Sequence, residues 1–170
     1  MSRCVLVIRH AEAEELDEAR QAGRDEHQRE LTRDGRRKMR EGAQGLKRLV
    51  DGIEHIAASP LTRALQTAEL VSEAFPEAKR HRYSGLAPGV QHPELLRWIT
   101  RQKGTVAIVG HEPDLSLWIG YMTTGEARSL VLMKKGSVCR LEMPDTAIAG
   151  EARIGWHMSL KQLRMVVGED

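Results

Sequence analysis

Short apolar runs alternate with amphipathic segments along most of the chain. Residues 5–8 (VLVI) form a branched, uninterrupted apolar run, which is typical of a strand covered on both faces. We expect this run to be the first and central strand. The polar residues 11–30 that follow it show no clear periodicity, and they predict a long loop with a helical turn. Further strands are predicted over residues 53–58, 79–83, 105–109, 136–143 and 152–158.

Helix signals fill the intervals between the predicted strands. Thr32 is typical of an N-cap, and the apolar positions after it recur at helical spacing until Gly52 closes the helix. Ser59 and Pro60 predict an N-cap and a first helical position for a helix that runs to about residue 75. Two further helices are predicted over residues 93–101 and from residue 113 onward.

This alternation predicts an α/β fold with a mostly parallel central sheet flanked by helices, a three-layer sandwich. The last two predicted strands can add antiparallel members to the sheet. No internal repeat or linker interrupts the chain, so residues 1–170 are predicted to form a single domain. In sheets of this kind, ligands bind beyond the carboxyl ends of the strands.

Composition narrows the class of protein. A hydrophobic content of 41% and a charged content of 29% are ordinary for a globular protein, and a net charge of +2 implies no nucleic-acid partner. Cys4 and Cys139 lie far apart without C-x-x-C spacing, so we expect neither a zinc site nor a redox dithiol. Without a signal peptide or an apolar run long enough to cross a bilayer, we expect a cytoplasmic protein with no membrane partner.

Polar side chains follow three of the predicted strands. Arg9 and His10 end the first, Ser59 and Arg63 open the helix after the second, and His111 follows the strand at residues 105–109. Because the carboxyl ends of parallel strands share one edge of a sheet, these groups should converge. Two arginines can hold phosphate oxygens through forked hydrogen bonds, and the following helix N-termini favour an anion. The pattern therefore predicts a phosphate pocket.

Two imidazoles in such a pocket suggest phosphoryl transfer. A neutral imidazole can attack phosphorus when positive surroundings lower its pKa and compensate the transferring charge, and Arg9 and Arg63 supply such surroundings. We assign His10 as the nucleophile, because a backbone anchored by a strand gives in-line attack the precision that it needs. His111 is then expected to bind the phosphoryl oxygens and to stabilise their charge in the transition state.

Four segments of the chain resemble motifs of the histidine phosphatase superfamily. Residues 7–12 (VIRHAE) resemble its opening RHG or RHA motif, and residues 59–68 (SPLTRALQTA) are similar to its second signature. Residues 109–115 (VGHEPDL) and 29–35 (RELTRDG) resemble the GHEPDL and R-x-L-T-x-x-G segments of the small SixA-like branch. The likeness spans nearly the whole chain in the right order. It implies a phosphoglycerate mutase-like fold without a cap domain.

The resemblance also implies roles for individual residues. Arg9, His10, Arg63 and His111 correspond to the catalytic quartet, His10 forms a phosphohistidine intermediate, and neither a metal nor another cofactor is needed. As candidate substrate-binding residues we add Ser59, Arg29 and Glu112, although the last two can instead orient other groups or carry exposed charge. The histidines outside the motifs are expected to have ordinary polar roles; they are His27, His55, His81, His92 and His157.

The sequence offers no evident proton donor for a leaving group. Larger members of the superfamily carry extra helical insertions and a carboxylic acid that protonates the leaving oxygen. The segment at residues 83–105 is short here, and its only carboxylate, Glu94, follows Pro93 at a predicted helix start. Expelling an alkoxide without a proton donor is costly, whereas the conjugate acid of imidazole has a pKa of about 6.5. We therefore predict a phosphorylated histidine-containing phosphotransfer or phosphocarrier protein as substrate, and a role in signal transduction.

Two other functions remain open from the sequence. The same quartet supports a general small-molecule phosphomonoesterase if Glu12 or Glu112 acts as the acid. A non-catalytic phosphate-binding adaptor is also possible, since a preserved pocket does not prove turnover.

The helix after Thr32 carries a basic stripe. Its arginines recur at helical spacing and can dock an acidic partner near the site, or they can form a solvated face paired with Asp34 and Glu41. The four arginines are Arg33, Arg36, Arg37 and Arg40.

Overall fold

One six-stranded sheet organises the chain. The computed structural model describes residues 2–89, 93–146 and 148–167, without the side chain of Pro93. Within them, the sheet has the order β3-β2-β4-β1-β5-β6. β1 to β4 run parallel, and β5 and β6 add antiparallel members, as predicted. The strands are β1 (Ser2–Arg9), β2 (His55–Ala58), β3 (Lys79–Arg82), β4 (Val106–Gly110), β5 (Val138–Pro144) and β6 (Arg153–Met158).

Helices cover both faces of the sheet. They are α1 (Leu16–Gln21), α2 (Arg33–Lys47), α3 (Thr62–Ala74), α4 (Pro93–Arg101), α5 (Asp114–Thr124) and α6 (Leu160–Met165), with 3-10 turns at Glu26–Gln28 and Ser84–Leu86. In this part of the chain, no helix is both long enough and apolar enough to cross a membrane. His92, for which we expected an ordinary role, lies outside the described residues.

The core lies on both sides of β1. All four residues of the apolar run at 5–8 are fully buried. Leu6 and Ile8 belong to a cluster with side chains of α2, α3 and α6, whereas Val5 and Val7 belong to a second cluster with side chains of α4 and α5. Alternate side chains of one strand therefore pack into two helical layers. The predicted three-layer α/β fold is confirmed.

The start of α3 differs from the prediction. The helix begins at Thr62 with Leu61 as its N-cap, so Pro60 is not its first residue. Ser59 cannot be the N-cap, because its backbone still extends the sheet: its N–H donates to the carbonyl of Val109 at 3.0 Å. The Ser59 hydroxyl accepts the Leu61 N–H at 3.3 Å and so closes a turn before the helix.

Three other segments were predicted incompletely. α2 ends at Lys47 rather than at Gly52, because the next N–H groups bond to carbonyls three residues back and tighten the chain into a turn. The predicted loop at residues 11–30 contains α1 and a 3-10 turn. α6 was not predicted. It packs closely on α2, where a Cβ on Gly45 would lie 1.8 Å from the Leu163 carbonyl oxygen, so only glycine permits this approach.

Candidate functional site

The carboxyl ends of β1, β2 and β4 meet at one edge of the sheet, as predicted. Beyond the strand ends, the backbone N–H of His10 donates to the carbonyl of Gly110 at 3.1 Å, and that of Ser59 donates to Val109 at 3.0 Å. These bonds continue the ladders past the regular strands. They fix the backbone of the site residues relative to one another, and His111 follows directly on β4.

The orientation of the His10 ring is set by a backbone hydrogen bond. Its Nδ1 lies 2.7 Å from the carbonyl oxygen of Ala11. A carbonyl can only accept, so Nδ1 carries the proton and Nε2 is left with its lone pair. The backbone of Ala11 is also held through its N–H, which donates to the Thr67 hydroxyl at 3.0 Å; that hydroxyl in turn donates to the Arg63 carbonyl at 2.7 Å.

Burial keeps the His10 imidazole neutral. The residue is 6% exposed, and desolvation lowers its pKa to about 3. The bond to Ala11 opposes this shift, whereas the neighbouring His111, Arg63 and Arg9 lower the pKa further. At neutral pH the ring therefore presents an uncharged nitrogen in positive surroundings.

His111 lies against His10 in the same pocket. The two ring centroids are 5.2 Å apart, with the planes inclined by 54°. Nε2 of His111 is 2.7 Å from the Ser59 hydroxyl oxygen, while its buried Nδ1 has no hydrogen-bond partner among the described residues. Burial first, and then the charge of Arg63, lowers the pKa of His111 to about 4. The second imidazole is thus also neutral and has a free ring nitrogen.

Two arginines lie beside the imidazoles, and each has an N–H donor that is available to a ligand. Arg9 donates from Nη1 to the Met133 carbonyl at 2.8 Å, and Arg63 donates from Nη1 to the Glu26 carbonyl at 2.9 Å. The Nε atoms of both guanidinium groups are buried and have no partner in the described part of the chain. Burial lowers the pKa of both groups. Since a guanidinium has five N–H donors and remains charged at neutral pH, both can bind an anion.

Glu26 is a site residue that the sequence did not reveal. From the 3-10 turn Glu26–Gln28, its carboxylate accepts Nη2 of Arg63 at 2.9 Å and Nη1 of Arg29 at 3.1 Å. Burial raises the pKa of Glu26, but the two arginines outweigh it and leave the pKa below its usual value. The carboxylate is therefore ionised at neutral pH and occupies part of the positive surface. The only hint in the sequence is the three-residue spacing of Glu26 and Arg29.

The secondary candidates occupy different positions. Arg29 joins the site through Glu26 and also donates from Nε to the Glu14 carbonyl at 2.9 Å. Glu112 turns its carboxylate to Ser116, accepting the backbone N–H at 3.0 Å and the hydroxyl at 2.6 Å. It thereby accepts hydrogen bonds from the first turn of α5, and its charge opposes the lowering of the Arg9 pKa by burial. Ser59 contacts His111 directly.

The chemistry of the assembled pocket is that of an anion site. It combines two neutral imidazoles with two guanidinium groups at the carboxyl ends of the parallel strands. Across residues 2–89, 93–146 and 148–167, no group of three or more His, Cys, Asp or Glu side chains could hold a metal ion. The free donors and lone pairs suit a tetrahedral oxyanion and a nucleophilic nitrogen.

Comparison with known proteins places these features in a family. The family model described as histidine phosphatase superfamily (branch 1) matches residues 5–86. An uncharacterized protein of the cyanobacterium Picosynechococcus sp. is 32% identical over 133 residues, which cover 76% of this chain and 77% of that protein.

Solved structures agree on the fold. The structure of the protein histidine phosphatase SixA complexed with tungstate matches with a TM-score of 0.80 and 22% identity, covering 94% of this chain and 99% of that one. A phosphoserine phosphatase of Entamoeba histolytica in complex with 3-phosphoglyceric acid matches with a TM-score of 0.66 and 16% identity, covering 95% and 99%. The segment matched by the family model, which begins in β1 and runs through the second motif, and the relative at 32% identity show that the chain belongs to the histidine phosphatase superfamily.

Proposed function

We propose that this protein is a phosphohistidine phosphatase, in which His10 takes a phosphoryl group from a histidine of a phosphotransfer or phosphocarrier protein and water then releases phosphate. The observation that carries the proposal is the state of His10. A buried ring with Nδ1 donating to a carbonyl and a pKa of about 3 keeps Nε2 available for attack at neutral pH.

The other members of the quartet complete the transfer. The Nε2 lone pair of His10 forms the new P–N bond while the P–N bond to the substrate imidazole breaks, and the electron pair leaves with that imidazole. Arg9 and Arg63 balance the charge on the equatorial oxygens, and His111 binds one of them. Water then attacks the phosphorus of phospho-His10, which returns the neutral imidazole and yields inorganic phosphate.

Neither Glu26 nor Glu112 is available to protonate a leaving group, which favours a P–N substrate. Glu26, whose carboxylate contacts Arg63, is ionised, and the carboxylate of Glu112 is engaged by Ser116. An imidazole leaves with little help because its conjugate acid has a pKa of about 6.5, whereas an alkoxide needs a proton in the transition state. A small-molecule phosphomonoesterase would have to rely on Glu12 as the acid and is therefore the weaker candidate.

The phosphoenzyme provides the direct test. Wild-type protein is mixed with purified carrier and phosphotransfer proteins bearing ³²P on histidine, quenched in base and analysed for label. We expect an acid-labile label on the wild type and none on His10→Ala, while His157→Ala in β6 serves as the matched histidine control. Label on His10→Ala, or a kcat/KM for phosphoserine above that for every phosphoprotein, would overturn the proposal.

A further inference from the structure

A basic cleft opens beside the candidate site. It has a volume of about 550 Å³ and lies where α2, α6 and the segment before β5 come together. We call it the lysine groove. Its lining comprises Arg9, Glu12, Gly35, Lys38, Lys134, Lys135, Leu160, Lys161 and Arg164. Arg9 is common to the groove and to the phosphate pocket, so the two sites adjoin.

Most of the positive charge in the groove is not neutralised. Lys134, Lys135 and Lys161 are exposed and form no ion pair with any carboxylate of the described residues. Among the described residues, Glu12 is the single acidic side chain in the lining. Of the other three basic side chains, Arg9 also belongs to the phosphate pocket. Lys38 pairs with Asp34 at 2.7 Å, and Arg164 pairs with Glu41 at 2.6 Å, so these two have partners outside the lining. With Arg9 and the three lysines set against Glu12, the groove carries an excess of three positive charges.

The backbone fixes two of these lysines close to the nucleophile. The N–H of Gly136 donates to the carbonyls of both Arg9 and His10, each at 3.1 Å, and Gly136 has a φ of +75° that favours glycine. The Ser137 N–H donates to the Lys134 carbonyl at 3.0 Å, and the Ser137 carbonyl accepts the Arg9 N–H at 3.1 Å. Lys134 and Lys135 therefore lie on a turn that is tied to the backbone of His10.

The arginine stripe of α2 is a poorer docking surface than the sequence suggested. Arg37 pairs with Asp34 at 2.7 Å and with Glu41 at 2.9 Å. Arg40 pairs with Glu73 at 2.8 Å. Half of the stripe is thus compensated by side chains of the protein itself, whereas the three lysines of the groove keep their charge for a partner.

We infer that the lysine groove docks an acidic surface of the phosphoprotein substrate while its phosphohistidine enters the adjoining pocket. This inference rests on the proposed function. The unpaired lysines of the groove carry ammonium groups on long, exposed side chains that are separate from one another. Such groups suit carboxylates that are spread over a protein surface. A compact phosphate ligand is held more specifically by guanidinium forks or a backbone cradle. Because Arg9 lines both sites, the groove lies directly beside the pocket that holds the reacting atoms.

A second cleft supplies a matched control. About 630 Å³ in volume, it is lined by three lysines, Lys47, Lys79 and Lys103, but also by three carboxylates, Asp51, Glu54 and Glu77. Its charge is balanced, and it shares no lining residue with the lysine groove. Reversing its lysines changes the net charge of the protein equally without touching the groove.

The first experiment measures docking directly and needs no turnover. Fluorescein-labelled poly-L-glutamate is titrated into His10→Ala protein and followed by anisotropy at several salt concentrations. In the same background, K134E/K135E/K161E should weaken binding about tenfold or more and flatten its salt dependence, whereas K47E/K79E/K103E should change it little. Equal binding by both triple variants, or no binding by the parent, would overturn the inference. So would tight lysine-dependent binding of inorganic polyphosphate with none of poly-L-glutamate.

The second experiment compares two substrates of the active protein. The ratio of kcat/KM for a histidine-phosphorylated carrier protein to that for phosphoramidate should fall about tenfold or more in K134E/K135E/K161E, mainly through KM. K134Q/K135Q/K161Q should show a smaller fall, and circular dichroism verifies folding. An unchanged ratio in all variants would refute docking. If no phosphoprotein is turned over while the poly-L-glutamate result stands, the proposed function fails and the acidic partner is of another kind.

Discussion

Acid should destabilise this protein through its buried imidazoles, and His10 allows the effect to be isolated. Its folded-state pKa of about 3 lies below the pKa of about 6.5 expected in the unfolded chain. As the pH falls, the unfolded state therefore binds a proton near pH 6.5, whereas the folded state binds it only near pH 3. The stability contributed by the neutral ring is present above pH 6.5 and is lost progressively as the pH falls towards 3.

The size of the effect follows from linkage. For a group with these two pKa values, lowering the pH from 7.5 to 5.0 costs about 2 kcal/mol of unfolding free energy. Carboxyl groups, with ordinary pKa values near 4, titrate little in this window, so it reports mainly on histidines. His10→Asn removes the titration and keeps a side-chain N–H that can donate to the Ala11 carbonyl.

Urea unfolding at pH 7.5 and 5.0 provides the measurement. Between these pH values, wild type should lose about 2 kcal/mol more unfolding free energy than His10→Asn does. His27→Asn, a change at an exposed histidine, should behave like wild type. If wild type and His10→Asn lose the same free energy, the ring is not held neutral by burial. The nucleophile assignment would then lose its physical basis.

Three further substitutions test separate contacts. Glu26→Gln should tighten inhibition by phosphate or tungstate about two- to fivefold, since it removes the carboxylate that competes for the site arginines. Thr67→Val should cost about 1–3 kcal/mol in urea unfolding and lower kcat by leaving the Ala11 N–H unpaired, whereas Thr67→Ser should retain both. Gly45→Ala should cost about 1–3 kcal/mol, because its Cβ would meet the Leu163 carbonyl; unchanged stability would contradict the close packing of α6 on α2.

The sequence predicted best where the signal is local. The apolar run at residues 5–8 is short and branched, and full burial on both faces is what such a run requires. Once β1, β2 and β4 are parallel neighbours, the meeting of their polar ends follows from geometry alone. The edge of the sheet that carries the candidate site could therefore be found without coordinates.

Features that depend on distant contacts could not be predicted. Ser59 has an N-cap sequence, but sheet bonding and contact with His111 decide its conformation. Glu26 reaches Arg63 only because residues 11–30 fold into a loop that is held by hydrogen bonds. Within this loop, Arg24 donates two hydrogen bonds to the Glu14 carboxylate, at 2.6 Å and 2.9 Å. The short α6 has too few residues for periodicity, and its position depends on glycines of α2.

The pairing of β1 has a consequence for how the protein is made. β1 leaves the ribosome well before its two neighbours, β4 (Val106–Gly110) and β5 (Val138–Pro144), so its hydrogen-bonding edges stay open until those strands have been synthesised. An apolar strand with two unsatisfied edges is prone to pair with other chains. We therefore expect nascent chains that stop before β4 to require a chaperone and to lack a phosphate site. Two halves split between α3 and β4 should regain the site only when they are mixed.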